Sequence, residues 1–310
     1  MIPLRPLGVG EILDGAIATT RLYWRAILGV TFVVALVTKG IEIVVQGKFI
    51  DDTRLKNLQD ESNPSVSDIL HAISGSLAGF ALVMLVALVG VLVTTAILTT
   101  VIGRAVLGQP ITAGEAWRRA RPQLPRLLGL TFLVPLIVAL IMAVCLLPGV
   151  LVALAGSESG GGALATIGLL AGLVIAIRLW VQLSLAAPAL MLEKQDIVSA
   201  MKRSAKLVNG SWWRVLGMQL LAGILVYLVS TIIQLPFALI GAGVTGDSFG
   251  NLLSADSNVS WTYLIISGIG GVIAATITLP ITSGVLTLLY MDQRIRRESL
   301  DIDLARAAGV

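Results

Sequence analysis

The stretch LAGFALVMLVALVGVLVTTAILTTVI, residues 77–102, contains neither a charged side chain nor a proline. An α-helix rises 1.5 Å per residue, and a bilayer hydrocarbon core of roughly 30 Å takes about 20 apolar residues. This segment is long enough to span. Five further segments meet the same standard, at about 26–46, 127–154, 164–191, 213–240 and 262–290. The composition agrees: 56% of the 310 residues are apolar, 13% are charged, and the mean hydropathy is +0.92. A soluble domain carries about 25% charge. So few charges could not cover a globular surface in water, and lipid must act as the solvent. The expected fold is all-α, a polytopic membrane bundle of about six transmembrane helices. Pro135, Pro148, Pro188, Pro236 and Pro280 fall within or near the ends of spans. Each frees a backbone carbonyl and shapes its helix.

Orientation follows from the positions of Lys and Arg, which are retained on the cytoplasmic side. Arg5, Arg21 and Arg25 precede the first span. Arg104, Arg118, Arg119, Arg121 and Arg126 lie between the second and third, and Lys194, Lys202, Arg203, Lys206 and Arg214 between the fourth and fifth. Arg294, Arg296, Arg297 and Arg306 follow the sixth. The opposite side has Lys48, Arg54 and Lys56 in the 47–76 loop, and none in its two later loops. Both termini are expected in the cytoplasm, with the protein multi-pass in the plasma (inner) membrane. The start of the chain lacks the pattern of a cleavable signal, so the first span is expected to act as an uncleaved anchor.

The connections repeat. Ala116-Trp117-Arg118-Arg119-Ala120 aligns with Ala200-Met201-Lys202-Arg203-Ser204, and Pro125-Arg126-Leu127-Leu128-Gly129 aligns with Trp213-Arg214-Val215-Leu216-Gly217. A looser version, Trp24-Arg25-Ala26-Ile27-Leu28-Gly29, opens the first span after Gly10-Glu11-Ile12-Leu13. The whole chain, 1–310, reads as one transmembrane domain of three units, about 7–104, 111–191 and 196–290, with a tail at 291–310. Each unit is an amphipathic interfacial helix followed by a two-span hairpin. Units with an even number of spans share one orientation, so a pseudo-threefold axis along the membrane normal is expected.

The amphipathic segments are candidate contact surfaces. In 196–208, Ile197, Val198, Met201, Ala205 and Val208 recur at helical spacing, opposite Lys202, Arg203 and Lys206. Asp196 is placed as the N-cap. The 112–121 segment opens with the capping-box pattern Thr112-x-x-Glu115 and carries Arg118, Arg119 and Arg121. The first, about 8–22, has Val9, Ile12, Leu13, Ala16 and Ile17 on one face, with Glu11 and Asp14 among its polar residues. Helices of this kind lie in the interface plane, and their basic residues suit anionic lipid headgroups or a protein partner. The acidic first helix is expected to pair with the two basic ones. A homo-oligomer stays open, and nucleic acid is not an expected partner.

A second group consists of costly residues inside spans. Arg178 sits near the middle of the fourth, where a charge costs about 2.5–3.5 kcal/mol on insertion scales. Gln182, one turn on, extends an expected inward polar stripe. Lys39 and Glu42 are three apart on the first span and can pair on one face. Glu42 is also a candidate partner for Arg178. Gln219 and Gln234 read as interhelical hydrogen-bonding groups, and Gly75-x-x-x-Gly79 and Gly168-x-x-x-Gly172 as close-contact motifs.

Catalytic chemistry is poorly provided for. Cys145 is the single cysteine and His71, in an outer loop, the single histidine. There is no disulfide framework, no Walker A, HExxH or GxSxG motif, and no clustered carboxylates in a span. No enzyme activity, metal or cofactor is expected.

The opening Leu4-Arg5-Pro6-Leu7-Gly8-Val9-Gly10-Glu11-Ile12-Leu13-Asp14-Gly15-Ala16 and the stretch from Ala200 to Gly217 resemble a group of actinobacterial integral membrane proteins. These are described as similar to the membrane domain of glycerophosphoryl diester phosphodiesterases, with more distant YciC-like six-helix relatives. The soluble phosphodiesterase barrel, with its metal-binding carboxylates and histidines, is missing from this chain. The resemblance implies a plasma-membrane protein accessory to envelope or membrane-lipid processes. The leading expectation is a non-enzymatic scaffold or lipid-interacting module. The alternative is a permease-like transporter component working with a soluble cytoplasmic partner.

Overall fold

The computed structural model describes residues 8–49, 66–106, 112–154, 158–246 and 260–298. Among them the regular structure is helical throughout. The order is α1 (Val9–Leu22), α2 (Trp24–Phe49), α3 (Val66–Val106), α4 (Ala113–Ala120), a 3-10 turn (Arg121–Gln123), α5 (Leu124–Leu154) and α6 (Glu158–Leu183). Then come α7 (Ala186–Glu193), α8 (Ile197–Val208), α9 (Trp212–Thr245) and α10 (Trp261–Glu298). Six stretches are long and apolar enough to cross a membrane: Trp24–Gly47, Ala81–Arg104, Gly114–Leu154, Gly160–Glu193, Trp212–Thr245 and Trp261–Arg297. The expected N-terminal Leu4-Arg5-Pro6-Leu7 motif, Arg54, Lys56 and Arg306 lie outside the described residues.

Two boundaries differ from the hydropathy reading. Helix α3 begins at Val66, so the second half of the expected outer loop is helical and His71 lies within it. Extending an existing helix by one residue costs far less than nucleating one, and Ile69, Ala72 and Ile73 keep the helical spacing into the polar flank. The fourth span is divided. Helix α6 stops at Leu183 and α7 starts at Ala186, with Pro188, which has no N–H to donate, in the first turn of α7. Pro135, Pro148, Pro236 and Pro280 remain inside continuous helices.

The chain forms two compact units. One comprises Met1–Thr19, Thr95–Ala222 and Ser283–Val310; the other comprises Thr20–Thr94 and Gly223–Thr282. The first contains α4, α8 and α1 as far as Thr19. Its α5/α6 pair is held by small residues: a Cβ on Gly168 would overlap the Cys145 carbonyl, and one on Gly172 would meet the Met142 sulfur. Without a hydrophobic drive between helices in lipid, such close backbone approach supplies the van der Waals contact that holds a pair together. The second unit is packed similarly. The Thr31 hydroxyl donates to the Thr276 carbonyl at 3.1 Å, and Gly90 lies against Thr38 and Gly270 against Phe237.

The three short helices share one register. The first helical bond in each runs from Ile12 N–H to Gly8, from Ala116 N–H to Thr112 and from Ala200 N–H to Asp196. Counting from those caps, the fourth and eighth residues are Ile12 and Ala16, Ala116 and Ala120, and Ala200 and Ser204, all fully buried. The buried seam is thus narrow and made mostly of small side chains; Gly284 of α10 lies directly against Ala16. The expected apolar faces are only partly buried: Ile12, Ala16 and Val208 lie inside, with Leu207 beside them, while Val9, Ile17 and Val198 are exposed.

Candidate anion site at the basic helix ends

In the unit containing the amphipathic helices, two carboxylates organise the charged ends of the spans. Glu193 ends α7. Its Oε1 accepts from Arg203 Nε and Nη2 at 3.3 and 3.1 Å, and from the Tyr290 hydroxyl. Its Oε2 accepts from Gln195 Nε2 at 2.7 Å. Arg294 Nε adds an ion pair at 3.7 Å. Asp292, 0% exposed, accepts from Arg214 Nη2 at 3.1 Å. Arg296 Nε lies 3.0 and 3.1 Å from its two oxygens. Asp292, fully buried, and Glu193, largely so, are therefore each held by two guanidinium groups. Burying a charge is costly unless it is paired and hydrogen-bonded, and both are here.

These clamps tie α7 to α8 and α10, and α9 to α10. Further bonds complete the joint. The Ser204 hydroxyl donates to the Gln182 carbonyl at 2.5 Å, at the break between α6 and α7. The Ser211 hydroxyl donates to Gln293 Oε1 at 2.7 Å, and Gln219 Nε2 donates to Ser184 Oγ at 2.5 Å.

Beside the clamps lies a pocket of about 430 Å³, lined among others by Arg104, Arg119, Gln123, Met191, Leu192 and Lys194. Its parts come from the end of α3, from α4 and its 3-10 turn, and from the end of α7. Arg104, Arg119 and Lys194 make no ion pair among the described residues. Lys194 is the C-cap of α7 and is left-handed, with φ +53°. That conformation favours glycine, because any Cβ crowds the following carbonyl.

The expected site residues separate into distinct environments. Arg118, Arg119, Arg121, Lys202 and Lys206 are exposed. Arg203 is drawn onto Glu193 instead of facing solvent with Lys202 and Lys206. Thr112 accepts from the Glu115 N–H and completes the capping box. Asp196 caps α8 without a side-chain bond to the helix, and its Oδ1 lies 3.4 Å from Arg126 instead. Glu11 accepts from the Gly8 N–H at 2.7 Å, guarding the start of α1, and Asp14 is exposed.

Lys39 and Glu42 pair at 2.8 Å within α2, with the Lys39 stem against Gly271. Arg178 is exposed, not part of an inward stripe; Gln182 is half-buried and contributes its carbonyl to Ser204. Helix α6 presents Gly161, Gly168 and Gly172 to α5, and Arg178 lies off that seam. Gln234 is also exposed. Sequence reasoning singled out neither Glu193 nor Asp292, and it left Arg104 and Lys194 as orientation markers. The available signals were Asp292-x-x-x-Arg296, one helical turn apart, and a carboxylate closing an apolar span at Glu193.

Residues 160–304 match the family model described as the membrane domain of glycerophosphoryl diester phosphodiesterase. This part of the chain resembles that domain. The matched stretch holds both carboxylate clamps and Lys194, whereas Arg104 and Arg119 precede it. The match is to the membrane domain alone, without the catalytic domain. No curated protein and no solved structure matches the chain. With six membrane-length apolar helices, the protein is a multi-pass integral membrane protein.

Proposed function

We propose that this protein is a non-enzymatic membrane module that gathers anionic lipid at its basic helix ends, as a scaffold or accessory for membrane-lipid processes. One observation carries the reading. Glu193 and Asp292 consume four arginines in rigid clamps, while Arg118, Arg119, Arg121, Lys202 and Lys206 stay exposed on the short helices. The clamps fix the frame, and the remaining cations are held in a layer where headgroups lie. In this reading the basic ends and both termini face the cytoplasm of a bacterial plasma membrane. The anionic leaflet there attracts each nearby Lys or Arg by about 1 kcal/mol. Exposed apolar residues on the same helices, Val9, Ile17 and Val198, suit contact with the acyl boundary. The transport alternative is less favoured by the positions of its expected lining residues, since Arg178 and Gln234 are exposed and Glu42 is paired with Lys39.

The test is the lipid retained by the full chain after purification in mild detergent. Neutralising Arg118, Arg121, Lys202 and Lys206 together to Gln is expected to remove the enrichment of anionic over zwitterionic phospholipid. An unchanged lipid composition would overturn the reading.

A further inference from the structure

We propose that the pocket between the ends of α3 and α7 and the turn after α4 is a discrete binding site for the phosphate of one anionic phospholipid headgroup. This inference rests on the lipid-gathering reading but makes a narrower claim: a single site to which Arg104 and Lys194 belong, with Arg119 shared between it and the exposed layer of charge.

Three arguments converge on it. The first is charge. Arg104, Arg119 and Lys194 line one pocket and have no counter-ion among the described residues. Four arginines of the same unit are each paired with Glu193 or Asp292. Three cations brought together repel one another, and an anion placed among them relieves that repulsion. Phosphate suits the donors, since guanidinium offers a planar fork to its oxygens and an ammonium adds a point charge.

The second is shape. About 430 Å³ falls in the range of roughly 300–1,000 Å³ typical of small-ligand sites. Met191 and Leu192 line the same pocket, at the end of an apolar span. An apolar lining beside the cations favours a headgroup whose acyl chains run along the helices over a free phosphate ester.

The third is backbone. Lys194 holds a left-handed conformation in which glycine would be easier. Glu193, the residue before it, is anchored by Arg203, Arg294 and Tyr290. The clamp therefore positions Lys194, and a cation stands where the fold alone would prefer glycine.

The experiment is native mass spectrometry of the full chain, titrated with phosphatidylglycerol, with phosphatidylcholine as the net-neutral control and with glycerol 3-phosphate and inorganic phosphate as soluble competitors. One tight phosphatidylglycerol adduct is expected, undisturbed by the soluble phosphates at matching concentration. Arg104→Gln should weaken it about tenfold, as loss of a charge-assisted hydrogen bond implies. Lys194→Gly should weaken it similarly while keeping or raising the thermal midpoint, because it removes the left-handed strain. A merely structural lysine would gain stability without losing lipid.

Unchanged affinity in both variants overturns the site. Displacement by glycerol 3-phosphate at matching concentration overturns its assignment to lipid. If these two variants bind normally while the Arg118, Arg121, Lys202 and Lys206 variant loses lipid, the pocket fails and the broader reading stands. If none of them loses lipid, both fail.

Discussion

Helices α4 and α8 are close to a controlled comparison. Eighty-four residues apart, they share a cap position, a register and a pair of buried small residues, Ala116 and Ala120 in one and Ala200 and Ser204 in the other. Arg119 and Arg203 occupy the same step. Yet Arg203 is locked onto Glu193, while Arg119 makes no ion pair among the described residues and lines a pocket. At the same shift, the sequence has Gln109 where the later unit has Glu193. Local pattern builds the helix, and a single counter-charge decides whether its arginine belongs to the frame or is available to a ligand.

The largest effect expected from breaking this comparison is Glu193→Gln. It takes the charge from the group that Arg203, Arg294 and Tyr290 share, and losing a hydrogen bond to a charged group costs about 1.5–3 kcal/mol. Arg119→Gln, in an exposed setting, should cost less than about 1 kcal/mol. Thermal unfolding of both variants in the same detergent measures the gap, and equal midpoints would refute the division into frame and ligand arginines.

Next comes Ser204→Ala, which makes the α8 seam identical in type to Ala120 of α4. It strips the hydroxyl from the Gln182 carbonyl, at a cost of about 1–3 kcal/mol if that carbonyl stays unsatisfied. The loss should show as faster amide hydrogen exchange around the α6–α7 break, with the far ends of α5 and α6 unaffected.

The smallest effects concern the caps. Thr112→Ala removes a complete capping box and should cost about 1 kcal/mol. Asp196→Ala loses only an exposed ion pair with Arg126 and should cost a few tenths at most. A reversed order would mean that the two N-termini are built alike after all.

Much of this was legible in the chain. Six spans, three short helices, the Thr112–Glu115 box and the Lys39–Glu42 pair all depend on neighbours within four residues. The clamps were not legible in that way. Arg203, Tyr290 and Arg294 reach Glu193 across ten to about a hundred positions, and Arg214 reaches Asp292 from another helix. Arg178 shows a different limit. A span that is apolar on all sides carries no periodic mark of its inner face, so which way one charge points cannot be read from spacing. The glycine seam to α5 decided it.

The sequence by itself determined that this is a helical membrane protein, how many apolar spans it has, and between which spans its positive charge collects. Hydropathy, capping and charge count act through local chemistry that no partner is needed to reveal. The tertiary structure alone decided which of those charges are spent on Glu193 and Asp292 and which remain around a pocket. Pairing depends on distances between helices that are far apart in the chain, and on how much water is excluded where they meet.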